Sequence, residues 1–280
     1  MDQQDFFANS DPISPVANKQ LFIGTSGCIF DDWRGVFYPE KLPKSRWLEF
    51  YSSQFSVVEI NVTYYRLPPR TTFESMVART PDLYPFWIKV PGEVTHQHGD
   101  LSAIMASFKE SIAPLLEARK LAGVLAQFPF SFRPVSANLE RISRLRQECE
   151  GVPLAVEIRN DVWQTERFAS FFRDNEVTYV IPDLPKLPGL PQANLLVTSK
   201  MAYIRFHGRN NLTWCNPAMG DRYDYDYSSS QLEEWVPHIS SLACMAESTY
   251  IFFNNCHMGQ AIKNAKMLRK LLQNEFGDNV

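Results

Sequence analysis

The chain has no apolar run approaching the roughly 20 residues needed to cross a bilayer as a helix, which argues against an integral membrane protein of that type. It has no CxxC pair, and its five cysteines (Cys28, Cys149, Cys215, Cys244 and Cys256) are odd in number. A zinc ribbon and a disulfide framework are therefore disfavoured, and reduced thiols are expected. HExxH and GxxxxGK[ST] are absent, so neither a zinc-protease helix nor a P-loop is present, and the Gly24-Thr-Ser-Gly27 turn is read as a tight barrel turn. Neither sign of charge dominates: 28 Lys and Arg against 31 Asp and Glu leave a formal charge of −3, with no global pull toward a phosphate backbone. The first 20 residues lack the basic start and apolar stretch of a secretory signal and carry Asp2, Asp5, Asp11 and two prolines instead. The expectations are a cytoplasmic location, a flexible 1–20 segment and one domain over 21–280, with no repeat, linker or low-complexity tract.

What the chain does have is alternation. Short apolar runs rich in β-branched and aromatic residues fall at 21–27, 57–64, 86–91, 123–128, 154–158, 178–182, 202–206 and 250–254. Most lack the polar alternation of a sheet with one wet face, which fits buried parallel strands. Stretches of helical periodicity lie between them, at 45–55, 71–79, 102–120, 136–150, 166–175, 228–247 and 259–276. Between 183 and 199, Pro185, Pro188 and Pro191 surround Gly189 and deny that crossover a regular helix. The pattern predicts an α/β fold, a single TIM-type (β/α)8 barrel with an irregular, loop-like sixth crossover, and 280 residues is a length such a barrel fills.

In barrels of this kind the strand carboxyl ends form the active face. Polar residues gather there: Glu59 and Asn61, Lys89 followed by His96, Gln127, Glu157 and Arg159, Asp183, Arg205 and His207, Asn254 and Asn255. Glu59/Asn61, Glu157/Arg159 and Arg205/His207 are each two apart, so both members of a pair point to one face of a strand. Buried charges must be paired, hydrated or given a ligand. The bland alternative to a functional site is an internal ion network.

These residues also carry a resemblance. Ile23-Gly-Thr-Ser-Gly27, Asp32-Trp-Arg-Gly-Val-Phe-Tyr-Pro39, Val58-Glu-Ile-Asn61 with Tyr65, Arg205-Phe-His-Gly208, Arg222-Tyr-Asp-Tyr225 and Phe253-Asn-Asn255 with Asn264-Ala265 resemble the motifs of the YecE-like family, domain of unknown function 72. The likeness covers nearly everything after Lys19. It implies a TIM-type barrel of unassigned activity, loosely similar to the xylose-isomerase-like and endonuclease IV-like barrels. Cys28 departs from the pattern, standing where the family more often carries Trp.

The chemistry is weighed residue by residue. A metal site would draw on His96, His207, His257, Glu59, Glu157 and Asp183, but His96-Gln-His98 is the one ligand-like run and three cations at the same face oppose a divalent ion; no metal and no cofactor are implied. Cys28 and Cys256 adjoin neighbouring strands 1 and 8 yet read more simply as buried hydrophobes than as nucleophiles. An anionic ligand is the better reading. Lys89, Arg159 and Arg205 would hold it with Asn61, His96, Asp183, Asn254 and Asn255 as further binding groups, and Glu59, Glu157 and His207 would be the acid–base catalysts. The segment 208–227, with Trp214, Tyr223, Tyr225, Tyr227, Arg209 and Arg222, has the composition of a lid or of a packed loop.

Three functions fit: a hydrolase- or lyase-type enzyme acting on a small or nucleotide-like anion, a nucleic-acid-binding or processing protein, and a non-catalytic ligand sensor. The second would use Arg133, Arg141, Arg144 and Arg146, but Glu140, Glu148 and Glu150 are interspersed on the same helix.

Overall fold

Residues 20–97, 99–216 and 221–277 are described by the computed structural model of the chain. All of the 1–20 segment except Gln20, and His98, lie outside them. Eight strands run in chain order: β1 Gln20–Ser26, β2 Val57–Ile60, β3 Phe86–Lys89, β4 Leu121–Phe128, β5 Leu154–Ile158, β6 Thr178–Asp183, β7 Met201–Phe206 and β8 Ser248–Phe253. Each pairs in parallel with the next, and β8 pairs with β1 from Gln20↔Ser248 to Thr25↔Phe253, closing the barrel. The TIM-type barrel expected from the alternation is the fold. Strands such as Leu-Ala-Val-Glu-Ile in β5 are buried at every position because helices cover one face and the barrel interior the other.

The helices are α1 Trp47–Ser52, α2 Val62–Tyr65, α3 Arg70–Ala78, α4 Gly92–His96, α5 Leu101–Glu117, α6 Ser136–Glu148, α7 Glu166–Asp174, α8 Ser229–Glu233, α9 Val236–Met245 and α10 Gln260–Phe276. Residues 184–200 contain no helix, as their prolines require. Leu184 and Leu190 in this connection pack instead with Trp214 from the following loop. Among the described residues no helix is long and apolar enough to cross a membrane.

Several boundaries differ from the sequence reading, and two of them shape the region around the mouth. The second apolar run ends as a strand at Ile60, and Asn61 turns the chain into α2, with Thr63 Oγ1 donating to the Lys89 carbonyl. The single helix expected at 228–247 is two, because Pro237 lacks the N–H that would continue the ladder and therefore opens α9 instead. Trp235 sits at that break.

Alternation along the strands sorts the barrel interior into layers. Val57, Trp87, Leu125, Ala155, Val180, Tyr203, Tyr250 and Phe252 form an apolar plug. Trp87 meets Tyr203 edge-on at 4.7 Å and Tyr250 at 5.3 Å. Gly123 makes room for this ring, since a Cβ there would lie 2.6 Å from Trp87. One step toward the carboxyl end, the same parity brings Ser26, Glu59, Lys89, Gln127, Glu157 and Arg205 inward.

Candidate functional site at the barrel mouth

Arg205 sits at the centre of the polar layer, fully buried between two carboxylates. Its Nη1 donates to Glu157 Oε2 at 2.6 Å, and its Nη2 donates to Glu59 Oε1 at 2.7 Å. Glu59 also accepts from Tyr203 Oη at 2.7 Å and Asn61 Nδ2 at 2.9 Å. Its oxygens are thus occupied by two side chains of β7 and one from the turn that follows β2. Burial alone would lower the Arg205 pKa, but Glu59 and Glu157 outweigh it and hold the guanidinium firmly charged.

Glu157 has a second layer of partners. Its other oxygen is ion-paired with Arg159 Nε, and Oε2 lies 3.2 Å from His207 Nε2. Burial opposes ionisation of Glu157, yet Arg159, His207 and Arg205 together hold its carboxyl well below the usual range. Burial, then Arg159, pushes the His207 pKa down to about 3. The imidazole is therefore neutral: Nε2–H donates to Glu157, and Nδ1 accepts from Asn254 Nδ2 at 3.0 Å. Arg159 Nη2 lies against the same ring, 3.2 Å from Nε2.

Above this network opens a cavity of about 320 Å³. Its cationic lining is Lys89, Arg159 and Arg222; its aromatic lining includes Tyr64, Tyr65, Trp214 and Tyr223, with His96 and Gln127 as neutral polar groups. Among the described residues no carboxylate lines it. Lys89 Nζ donates to Gln127 Oε1 at 3.1 Å and lies 4.1 Å from the centroid of the Tyr64 ring. Burial, followed by repulsion from Arg205, lowers its pKa to about 8, with Glu157 and Glu59 opposing. Arg159 and Arg222 both lie over the Trp214 ring, at 5.3 and 5.7 Å. The 208–227 segment thus supplies part of the cavity wall.

The expected site residues divide into three groups. Glu59, Asn61, Glu157, Arg159, Arg205, His207 and Asn254 form one connected network, but Glu59, Glu157 and His207 lie fully buried beneath the cavity rather than lining it. Lys89 and His96 reach the cavity; His96, at the end of α4, lies 2.8 Å from Thr95 Oγ1 and 3.3 Å from Tyr64 Oη, and burial and Lys89 lower its pKa. Asp183 and Asn255 do not join. Asp183 has the parity opposite to Val180, and its carboxylate accepts from Arg209, from Tyr227 Oη at 2.7 Å and from Trp235 Nε1 at 2.8 Å. Asn255 donates instead to Asn264 Oδ1 and the Tyr225 carbonyl, both at 2.7 Å. Both residues tie the loop and outer helices to the barrel.

With Asp183 turned to Arg209, Lys89, Arg159 and Arg205 face only Glu59 and Glu157 in the mouth. Arg222, Tyr64 and Trp214 were not among the expected site residues; for Arg222 and Trp214 a loop with spaced Arg and aromatic residues was the available signal, and Tyr64 enters from α2. Cys28 and Cys256 are buried, and burial pushes the Cys28 thiol up to about 12 and raises that of Cys256 as well, so neither is an activated thiolate. Arg141 is also committed, donating to the carbonyls of Val94 and Gln97, which removes it from a basic surface on α6.

A closed (β/α)8 barrel whose mouth holds a buried Glu–Arg–Glu network beneath a cationic, aromatic cavity is the class of protein defined here. The chain belongs to the family described as Protein of unknown function DUF72, whose family model matches residues 22–279. It is similar to the UPF0759 protein YunF of Bacillus subtilis (strain 168), at 30 % identity over 273 residues, 91 % of this chain and 96 % of that protein. Among solved structures, a DUF72 family protein from Thermotoga maritima MSB8 is 40 % identical with a TM-score of 0.84, covering 91 % of this chain and 99 % of that one. A DUF72 family protein from Enterococcus faecalis V583 is 26 % identical with a TM-score of 0.81, covering 90 % and 95 %.

Proposed function

We propose that the barrel mouth binds a small anionic compound and that the protein is an enzyme acting on it by acid–base chemistry. The observation that carries this reading is the cavity lining: among the described residues, three cationic side chains and no carboxylate, above a network in which two arginines meet two carboxylates. An arginine held by one carboxylate keeps unused donors, so phosphate or carboxylate adds charge-assisted bonds without dismantling the network. Glu157 and His207 contribute by fixing Arg159, and Lys89 and His96 are the titratable groups within reach of a ligand. The cationic and aromatic lining also fits a nucleotide-like anion, whose ring would stack beside Tyr64 or Tyr223. A non-catalytic sensor would share the cavity and show binding without turnover. The nucleic-acid reading is the weaker one, because Arg141 is occupied within the fold and the chain carries a net negative charge.

The test is a thermal-shift and calorimetric survey with phosphate, nucleotides and organic acids. Arg159→Ala should weaken binding by about 2–5 kcal/mol, the range for losing a buried charged partner. Because that change also strips Glu157 of a partner, Arg222→Ala serves as the second variant; Arg222 lies in the cavity wall, outside the ion network. If no anion raises the melting temperature of the intact protein, the buried charges are a structural ion network and the reading fails.

A further inference from the structure

We propose that Lys89 is an amine nucleophile that forms an imine with a small carbonyl compound carrying an anionic group. The inference rests on the anion-binding reading of the cavity and assigns the substrate class within it.

Geometry is the first support. Lys89 ends β3 with inward parity, so a rigid strand delivers its Nζ to the cavity wall. Among the described residues it forms no ion pair: its partners are the neutral Gln127 amide oxygen at 3.1 Å and the Tyr64 ring at 4.1 Å. Lys44, Lys109, Lys200 and Lys263 by contrast meet carboxylates at the surface, and buried Lys120, also without an ion pair, is committed to the carbonyls of Val77 and Thr80 rather than to a cavity. A lysine kept for charge alone would be served as well by an Arg or a carboxylate partner. One desolvated, unpaired and facing a cavity is arranged for its lone pair.

The electrostatic surroundings agree. The groups facing Lys89 are Glu59 on β2, Glu157 and Arg159 on and after β5, Arg205 on β7, and His96 and Tyr64 at the rim. Their balance with burial brings the ammonium to about 8, so about one molecule in ten carries the free amine at pH 7. For an ordinary lysine the fraction is below roughly one in a thousand.

The step is balanced without any oxidant or reductant. Nζ, after losing a proton, attacks the carbonyl carbon; the C–N bond forms as the carbonyl π pair moves to oxygen, which takes up a proton. The adduct nitrogen then gives up a second proton, the hydroxyl takes one up, and the freed nitrogen lone pair expels it as water, giving a protonated imine. Overall one ammonium and one carbonyl become one iminium and one water. Arg159 and Arg222 hold the anionic group of the substrate, and His96, neutral and hydrogen-bonded to Tyr64 Oη in the same cavity wall, carries the transferred protons.

The test uses two aldehydes of similar size, anionic glyoxylate and neutral glycolaldehyde, each with cyanoborohydride to trap an imine, followed by peptide mass spectrometry of the whole protein. Lys89 should be labelled at least tenfold faster than exposed Lys200, faster with glyoxylate than with glycolaldehyde, and with a rate that rises through about pH 8. Inorganic phosphate should suppress the labelling, and Lys89→Arg should remove the adduct. If phosphate raises the melting temperature but Lys89 reacts no faster than Lys200, the nucleophile is wrong and the anion site stands. If neither phosphate nor glyoxylate binds the intact protein, the anion site itself falls and the imine with it.

Discussion

His207 and Glu157, carried by strands two apart in the barrel, meet with Nε2 3.2 Å from Oε2 while both side chains are completely buried. That contact fixes the imidazole tautomer, and the neutral ring in turn seats the Arg159 guanidinium at the cavity wall. The folded His207 resists protonation down to about pH 3, whereas in the unfolded chain it titrates near 6.5, so below 6.5 the unfolded state binds more protons. Glu157, held below its ordinary value, acts in the same direction at more acidic pH. Stability should therefore fall as pH drops from about 6.5, on the order of 4 kcal/mol by pH 3 from His207 alone. Denaturant unfolding as a function of pH checks this, and His207→Gln should flatten the slope between pH 6.5 and 4.5; an unchanged slope would mean the ring is protonated in the fold.

Arg205→Met leaves Glu59 and Glu157 buried with their central partner gone. The expected loss is about 3–5 kcal/mol, because an uncompensated buried charge costs more than a good pair contributes. Urea titration reads it. A loss under about 1 kcal/mol would show that water enters and hydrates the carboxylates.

Asp183→Asn should destabilise the protein by about 1–3 kcal/mol, since one amide oxygen cannot replace a carboxylate shared by Arg209, Tyr227 and Trp235. Phosphate affinity, measured by calorimetry, should not change. A tenfold loss of affinity at unchanged stability would return Asp183 to the ligand site.

Gly208→Ala tests how the cavity wall is attached. Gly208 has φ of +91°, and a Cβ there would lie 2.6 Å from Tyr225 Cβ. Its amide also donates to Tyr227 Oη at 2.9 Å. The variant should lose about 1–3 kcal/mol through backbone strain and displacement of the loop, and with the loop shifted it should bind phosphate more weakly. Wild-type affinity would show that Trp214 and Arg222 hold their places without this anchor.

Much of the mouth was legible because strands have a period of two. Glu157 with Arg159, and Arg205 with His207, were readable as inward pairs, and Tyr203 could have been added by continuing the β7 parity two residues back. The same rule, carried along β6 from Val180, would have turned Asp183 outward. Asn61 escaped it because the strand stops at Ile60, and no apolar periodicity marks that stop.

The amino-acid order by itself determined the barrel, its proline-broken sixth crossover and the parity of most polar residues, since these follow from local alternation and backbone chemistry. Only the tertiary structure decided the pairing. Which carboxylate meets which arginine depends on barrel closure, which brings Glu59 and Arg205 together across 146 residues and delivers Arg222 from a distant loop. Closure also removes water from Lys89 and His207, and it is this burial among neighbouring cations, invisible in any local stretch of sequence, that moves their ionisation.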